Sequence, residues 1–330
     1  MPSRSETCMT SRLAITGDAL ARAADMLTAG RLVAFPTETV YGLGGDACNA
    51  DAVAAIFAAK DRPSFNPLIS HVASTEAAFR LGSATPLAEC LAACFWPGPM
   101  TLILYRTADC PVARLTSAGL DKIAIRVPAH AAARRLLQAF GGPVAAPSAN
   151  PSGRISPTRA EHVIAGLDGR VALVLDGGPC DSGVESTVID CTGDAAHILR
   201  PGGITREAVA DALAGAGLRL AGAAQRAAPQ APESPGMLAS HYAPQTAVRL
   251  NVTAAEAGME LIGFGGIGGS GTLALNLSPG GGLVEAAANL FDMLHAADAT
   301  GASLIGIAPI PQTGLGEAIN DRLTRAAAPR

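Results

Sequence analysis

Short apolar runs alternate with amphipathic stretches along most of this chain, and that alternation restricts the fold more than any single motif does. Residues 18–30 place Leu20, Ala24 and Leu27 on one helical face, and Gly30 closes the stretch. An apolar run over 31–35 follows and is broken by Pro36. Strand-like runs recur at 101–105, 122–127, 144–146, 171–175, 186–190 and 197–199. Helical stretches at 50–60, 75–81, 87–95, 129–140, 158–165 and 204–214 lie among them. This order predicts a mixed α/β sheet with helices packed on it.

Residues 221–245 change character, with four prolines and little apolar periodicity. They read as a linker or a long ordered loop. A second α/β unit is predicted beyond them, with strands at 261–264, 273–275 and 303–308 and helices at 283–297 and 314–328. The expected division is 1–215, a linker over 216–245, and a smaller C-terminal domain over 246–330.

Composition bounds the function. Nearly half of the 330 residues are hydrophobic, enough for a core in each domain. The net charge of −4 disfavours nucleic-acid binding over the whole surface, so any anion site must be a local pocket. Seven cysteines at irregular spacing do not form a secreted disulfide framework. Cys90 and Cys94 could share a helix face, but no second pair completes a zinc site, and buried free thiols are expected. No run of 18 uncharged apolar residues predicts a membrane span, and the N-terminus is not a signal peptide. A cytoplasmic protein is the expectation.

Several loops carry candidate chemistry. PTETVYGLG (36–44) follows a strand and reads as a turn whose backbone N–H groups can approach a ligand. In KDRPSFNPLISH (60–71), Lys60 and Arg62 end a helix; they either grip phosphate or answer the helix dipole. Asn66 and His71 have no such helix role. Arg126 stands in the apolar strand AIRVP (124–128), where a guanidinium needs an anion, either a structural carboxylate or a ligand's. APSANPSG (146–153), SPT (156–158), GVESTVID (183–190) and ILRPGG (198–203) place small polar groups and Arg200 at strand ends, where α/β folds bind ligands. Gly263 to Gly268 fits G-x-G-x-x-G, but a further strand is read after it instead of a helix, which argues against a dinucleotide site. His130, His162, His197 and His295 show no catalytic or ligand spacing and are expected in surface or core.

Together, in this order, PTETVYGLG, KDRPSFNPL, FWPGPMTLIL, AIRVP, APSANPSG with SPT, GVESTVID and ILRPGG resemble the threonylcarbamoyl-AMP synthase family, also called YrdC-like. The likeness spans about residues 15–210. SPGM (234–237) with HYAP (241–244) looks like the linker of the family's long form, which carries an extra C-terminal domain.

The resemblance implies an open, twisted mixed sheet with a concave active site, and a smaller C-terminal Rossmann-like α/β domain. It implies a nucleotidyltransferase that makes threonylcarbamoyl-AMP and pyrophosphate from ATP, L-threonine and bicarbonate, for tRNA modification next to the anticodon. Thr39, His71, Arg126, Ser148 and Ser186 match threonine-holding positions, with Arg126 facing the carboxylate. Arg62, Asn66, Asn150, Thr158 and Arg200 match ATP positions. Lys122 stands at a further nucleotide position, where the family more often has a small polar residue. Tyr242 matches a linker tyrosine that closes over the nucleotide. Lys60 and Arg62 are the catalytic cations. Mg²⁺ is expected with ATP, without a metal site or a permanently bound cofactor. The partner implied is a downstream tRNA-modifying transferase complex, with room for weak RNA binding. Two other readings are a double-stranded RNA-binding module and a carbamoyl-transfer domain of related fold.

Overall fold

The computed structural model describes residues 9–222 and 241–329. Cys8 and the SPGM stretch lie outside the described residues. The strands are β1 (Ser11–Ala14), β2 (Val33–Pro36), β3 (Tyr41–Asp46), β4 (Ile69–His71), β5 (Met100–Tyr105), β6 (Lys122–Arg126), β7 (Val144–Ala145), β8 (Leu173–Asp176), β9 (Thr187–Asp190), β10 (His197–Arg200), β11 (Val248–Arg249), β12 (Met259–Ile262) and β13 (Leu304–Ile307). The helices are α1 (Gly17–Thr28), α2 (Ala50–Lys60), α3 (Thr75–Leu81), α4 (Pro86–Phe95), α5 (Ala131–Phe140), α6 (Ala160–Leu167), α7 (Arg206–Gly215), α8 (Leu283–Asp298) and α9 (Leu315–Ala326).

Ten strands form one mixed sheet in the order β1-β8-β2-β3-β7-β4-β6-β5-β9-β10. Helix starts are fixed locally: Thr16, Asn49, Ser74, Thr85 and Thr205 each cap a backbone N–H of the helix that follows. The apolar faces of α1 and α5 pack together against β2, around Leu20, Leu27, Phe35, Leu136 and Leu137. The other main core gathers α2, α4 and α7 with residues such as Leu102, Leu104 and Ile125.

A parallel three-stranded sheet, β11-β13-β12, carries α8 and α9. Its core continues into the first unit, where Val40, Ile155 and Val184 join Leu290, Phe291, Ile319 and Leu323. Gly183 makes this contact possible. Its φ is +67°, and a Cβ there would lie 2.2 Å from the Ala287 carbonyl oxygen.

Several expectations are corrected. PTETVYGLG is more than a turn, because its second half is β3. The glycines of YGLGGD hide that strand from propensity. Residues 273–275 are not a strand; the Glu260 carboxylate takes the N–H groups of Thr272 and Leu273 instead. The Gly263–Gly268 stretch forms isolated bridges, and the next helix begins only at Leu283. The described cysteines are free, but only Cys180 and Cys191 are buried, while Cys94 is exposed. His162 and His295 stack at 3.9 Å between the two units. No described helix is long and apolar enough to cross a membrane.

Candidate active site

Alternation along β6 puts Lys122, Ala124 and Arg126 on one face of the sheet. The register sets Ile69 and Ile103 beside Ala124, and His71 beside Arg126. Ile69, Ile103, Ala124 and Val188 make a small buried apolar cluster on that face. At the Arg126 end lies a cavity of about 50 Å³. Of the expected residues, Thr39, Arg62, Arg126, Ser148, Ser186, Arg200 and Tyr242 line it. Glu185 and His241 line it too.

Arg126 has a protein carboxylate as its partner and still leaves donors over. Its Nη2 donates to Glu38 Oε1 at 2.6 Å, Nη1 to Thr39 Oγ1 at 2.9 Å and Nε to the Gly98 carbonyl at 3.3 Å. A guanidinium has five N–H donors, so two remain beyond these three. Glu38 Oε2 is itself fixed by the N–H groups of Ala129 and His130. Burial pushes the Glu38 carboxyl up, but Arg126 outweighs it and keeps the group below its usual value. The Thr37 hydroxyl lies 2.8 Å from Thr39 Oγ1 and donates to the Val40 carbonyl, which sets the turn.

Across the cavity, Arg200 Nη2 donates to the Ser186 carbonyl at 2.9 Å and to its hydroxyl at 3.1 Å. The Ser186 hydroxyl is 2.7 Å from Thr101 Oγ1. Arg62 holds its own loop, with Nε on the Asn66 carbonyl and Nη2 on that of Pro67. Burial pulls Arg62 down to about 10, and Arg200 beside it acts the same way.

Four expected residues stand out for what they lack. Both amide atoms of Asn66, His71 Nδ1, Asn150 Oδ1 and Thr158 Oγ1 are buried without a hydrogen-bond partner among the described residues. Each such group costs about 1–3 kcal/mol if nothing meets it. Ser70, Arg134 and His241 carry similar orphans. Of the residues with such orphans, His241 lines the cavity, His71 pairs with Arg126 in the sheet, and Asn150 borders a neighbouring pocket with Pro151 and Arg154.

Residues 25–202 match the family model described as Telomere recombination, which covers Sua5, YciO and YrdC, and residues 204–328 match the model for the threonylcarbamoyl-AMP synthase C-terminal domain. The chain is 41% identical to the threonylcarbamoyl-AMP synthase of Bacillus subtilis (strain 168), over 98% of this chain and 96% of that one. The chain belongs to the threonylcarbamoyl-AMP synthase family. A relative of the same name from Pyrococcus abyssi is 40% identical, over 92% of this chain and 93% of its own length. The fold agrees: the crystal structure of P. abyssi Sua5 complexed with L-threonine superposes with a TM-score of 0.84 at 38% identity, covering 97% of each chain.

Two expected site residues of this threonylcarbamoyl-AMP synthase family member, Lys122 and Lys60, do not line the cavity themselves. Lys122 sits four residues from Arg126, roughly 13 Å along the strand. Its ammonium pairs with Asp190 at 3.1 Å and lies over the Tyr105 ring. Lys60 is buried at the end of α2 and donates to the carbonyls of Ser148 and Asn150. Burial, with Arg62 beside it, lowers its pKa well below the usual lysine value. Lys60 therefore shapes the loop that carries two site residues. Lys60→Met should lower stability by about 1–3 kcal/mol, because a buried and a half-buried carbonyl lose their donor. Urea unfolding measures this; unchanged stability would contradict the bracing role.

Three histidines make the fold acid-sensitive. Burial lowers His71 and His241 to about 3 and His162 to about 4, from 6.5. The unfolded chain then binds protons that the folded chain refuses. Stability should fall as pH drops from 6.5 towards 4, by up to about 1.4 kcal/mol per pH unit for each histidine. Glu38 and Glu185 add to the loss only below about pH 4.5, because their folded pKa values are depressed. Urea midpoints at pH 6.5, 5.5 and 4.5 test this, and a flat profile would contradict it.

Tyr242 closes the cavity. It is almost fully buried with φ of 62°, stacks on Phe291 at 5.6 Å and lies under the Arg322 guanidinium. The His241 N–H donates to the Arg325 carbonyl, and the Ala243 N–H to the Gly153 carbonyl, so this strap is tied to both units. A space of about 50 Å³ is far below the several hundred that a nucleotide fills. Tyr242→Ala should reduce synthesis about tenfold by leaving the site open to water. Steady-state turnover checks it; wild-type activity would mean that the strap is only a tether.

Proposed function

We infer that the chain is an L-threonylcarbamoyladenylate synthase, which converts L-threonine, bicarbonate and ATP into threonylcarbamoyl-AMP and pyrophosphate. The observation that carries this reading is Arg126. It is a buried guanidinium at a cavity shared with Thr39, Ser148 and Ser186, with Arg62 and Arg200 facing the same space. An amino-acid carboxylate suits the two remaining donors of Arg126, and a triphosphate suits the other two arginines.

Threonine takes Arg126 for its carboxylate, with Thr39, His71, Ser148 and Ser186 around it. ATP takes Arg62, Asn66, Asn150, Thr158, Arg200 and Tyr242. The unpartnered atoms of Asn66, His71, Asn150 and Thr158 support this division. Lys60 acts through the loop it braces. The threonine amine attacks bicarbonate with loss of water, giving a carbamate. A carbamate oxygen then attacks the α-phosphorus, and pyrophosphate leaves. The chain contributes positioning and charge neutralisation in a space closed to water, where the arginines act most strongly.

Mg²⁺ would travel with the triphosphate as part of the substrate. No described group of three His, Cys, Asp or Glu is arranged to hold a metal, and the nearby carboxylates Glu38 and Glu185 are both held by arginines. We assign residues 1–215 to catalysis, 216–245 to the linker and 246–330 to the C-terminal domain. The product would pass to a tRNA-modifying transferase, and a cytoplasmic location fits the supply of ATP.

The test is pyrophosphate release. It should require threonine and bicarbonate together; equal release with threonine omitted would overturn the assignment.

A further inference from the structure

The scheme above uses the ten-stranded unit and one strap tyrosine, and it leaves a large buried cation unexplained. Arg322 lies on α9 of the C-terminal unit and has no exposed surface. Its Nε donates to Glu185 Oε2 at 2.7 Å and its Nη2 to the Pro201 carbonyl at 2.8 Å. Its Nη1 donates to Asp321 Oδ2 at 2.5 Å, and its guanidinium carbon is 5.2 Å from the centre of the Tyr242 ring.

Three of these contacts meet the cavity wall. Glu185 lines the cavity and precedes Ser186; Pro201 follows Arg200; Tyr242 is the strap. The two wall segments also interlock. The Gly203 N–H donates to the Glu185 carbonyl at 3.1 Å, and a Cβ on Gly202 would lie 2.3 Å from that oxygen. Glu185 Oε1 takes the Ser156 hydroxyl at 2.5 Å, so both carboxylate oxygens are held. Docking of the two units has other ties nearer the surface, Arg206–Glu317 and Arg159–Asp292. Arg322 differs from these in reaching the wall itself.

We propose that Arg322 is a positioning residue for the synthase reaction: through Glu185, Pro201 and Tyr242 it fixes Ser186, Arg200 and the strap, so that the C-terminal unit completes the active site. This rests on the function inferred above.

Arg322→Met alone leaves Glu185 charged and unpaired in the interior, and it is expected to unfold the protein. The informative variants of the full chain are Arg322→Lys, which keeps the charge but loses the fork, and the double variant E185Q/R322M, which removes both charges. Circular dichroism should show both folded. At saturating threonine, bicarbonate and ATP, kcat should fall about 100-fold, the scale of a misplacement near 1 Å. A role confined to docking would lower the melting temperature and leave saturated kcat within twofold. Hydrogen–deuterium exchange gives a readout free of activity: peptides holding Ser186, Pro201 and Tyr242 should exchange faster in the double variant, while β4 and β6 stay as in wild type. A folded double variant with wild-type kcat, or with unchanged exchange at those peptides, overturns the proposal. If the wild-type protein makes no threonylcarbamoyl-AMP, the functional reading fails instead, and the exchange result alone decides whether Arg322 orders the wall.

Discussion

Replacing Arg126 with methionine should weaken threonine binding about 100-fold and leave ATP binding within a few-fold. The two donors left after Glu38, Thr39 and Gly98 are served are the ones a substrate carboxylate would take. A hydrogen bond to a charged group contributes about 1.5–3 kcal/mol, and 1.4 kcal/mol is tenfold in affinity. The substitution also strands Glu38, a carboxylate that is nearly buried. The double variant R126M/E38Q therefore belongs beside it, since it removes both charges and separates lost binding from lost folding. Calorimetric titration of each ligand decides the matter. An equal loss for threonine and ATP would reduce Arg126 to a structural partner of Glu38.

Arg62→Ala should cost about 3 kcal/mol of transition-state stabilisation, the scale of a lost oxyanion donor, or roughly 100-fold or more in turnover. A cation serving only the dipole of α2 would cost well under 1 kcal/mol of stability and leave the rate intact. The structure adds a competing role, because Arg62 also holds the carbonyls of Asn66 and Pro67. Turnover and urea stability must therefore be measured on the same sample. Unchanged turnover, with only stability reduced, would leave Arg62 a loop brace.

What was legible in the sequence was local. Alternating apolar runs gave most of the strands, and an arginine inside AIRVP announced a site because burial of its charge demands an anion. What was hidden depends on contacts distant in sequence. Glu38 lies 88 residues from Arg126, and the carbonyls that occupy Lys60 lie 88 and 90 residues beyond it. Nothing in KDR separates a lysine aimed at phosphate from one aimed at a loop. Lys122 likewise meets Asp190 only once β5 stands between β6 and β9. Arg322 looks like any charge on an amphipathic helix until α9 docks and turns it inward. The strand predicted at 273–275 failed because Leu273 faces solvent and Glu260, from a neighbouring strand, takes the local N–H groups.

The central claim is chemical, and its most direct test is the product. Purified protein given ATP, threonine and ¹³C-bicarbonate should yield, by mass spectrometry, threonylcarbamoyl-AMP with the label in its carbamoyl carbon and an equal amount of pyrophosphate. An adenylate without the labelled carbon, or AMP and pyrophosphate formed without any threonine adduct, would contradict it.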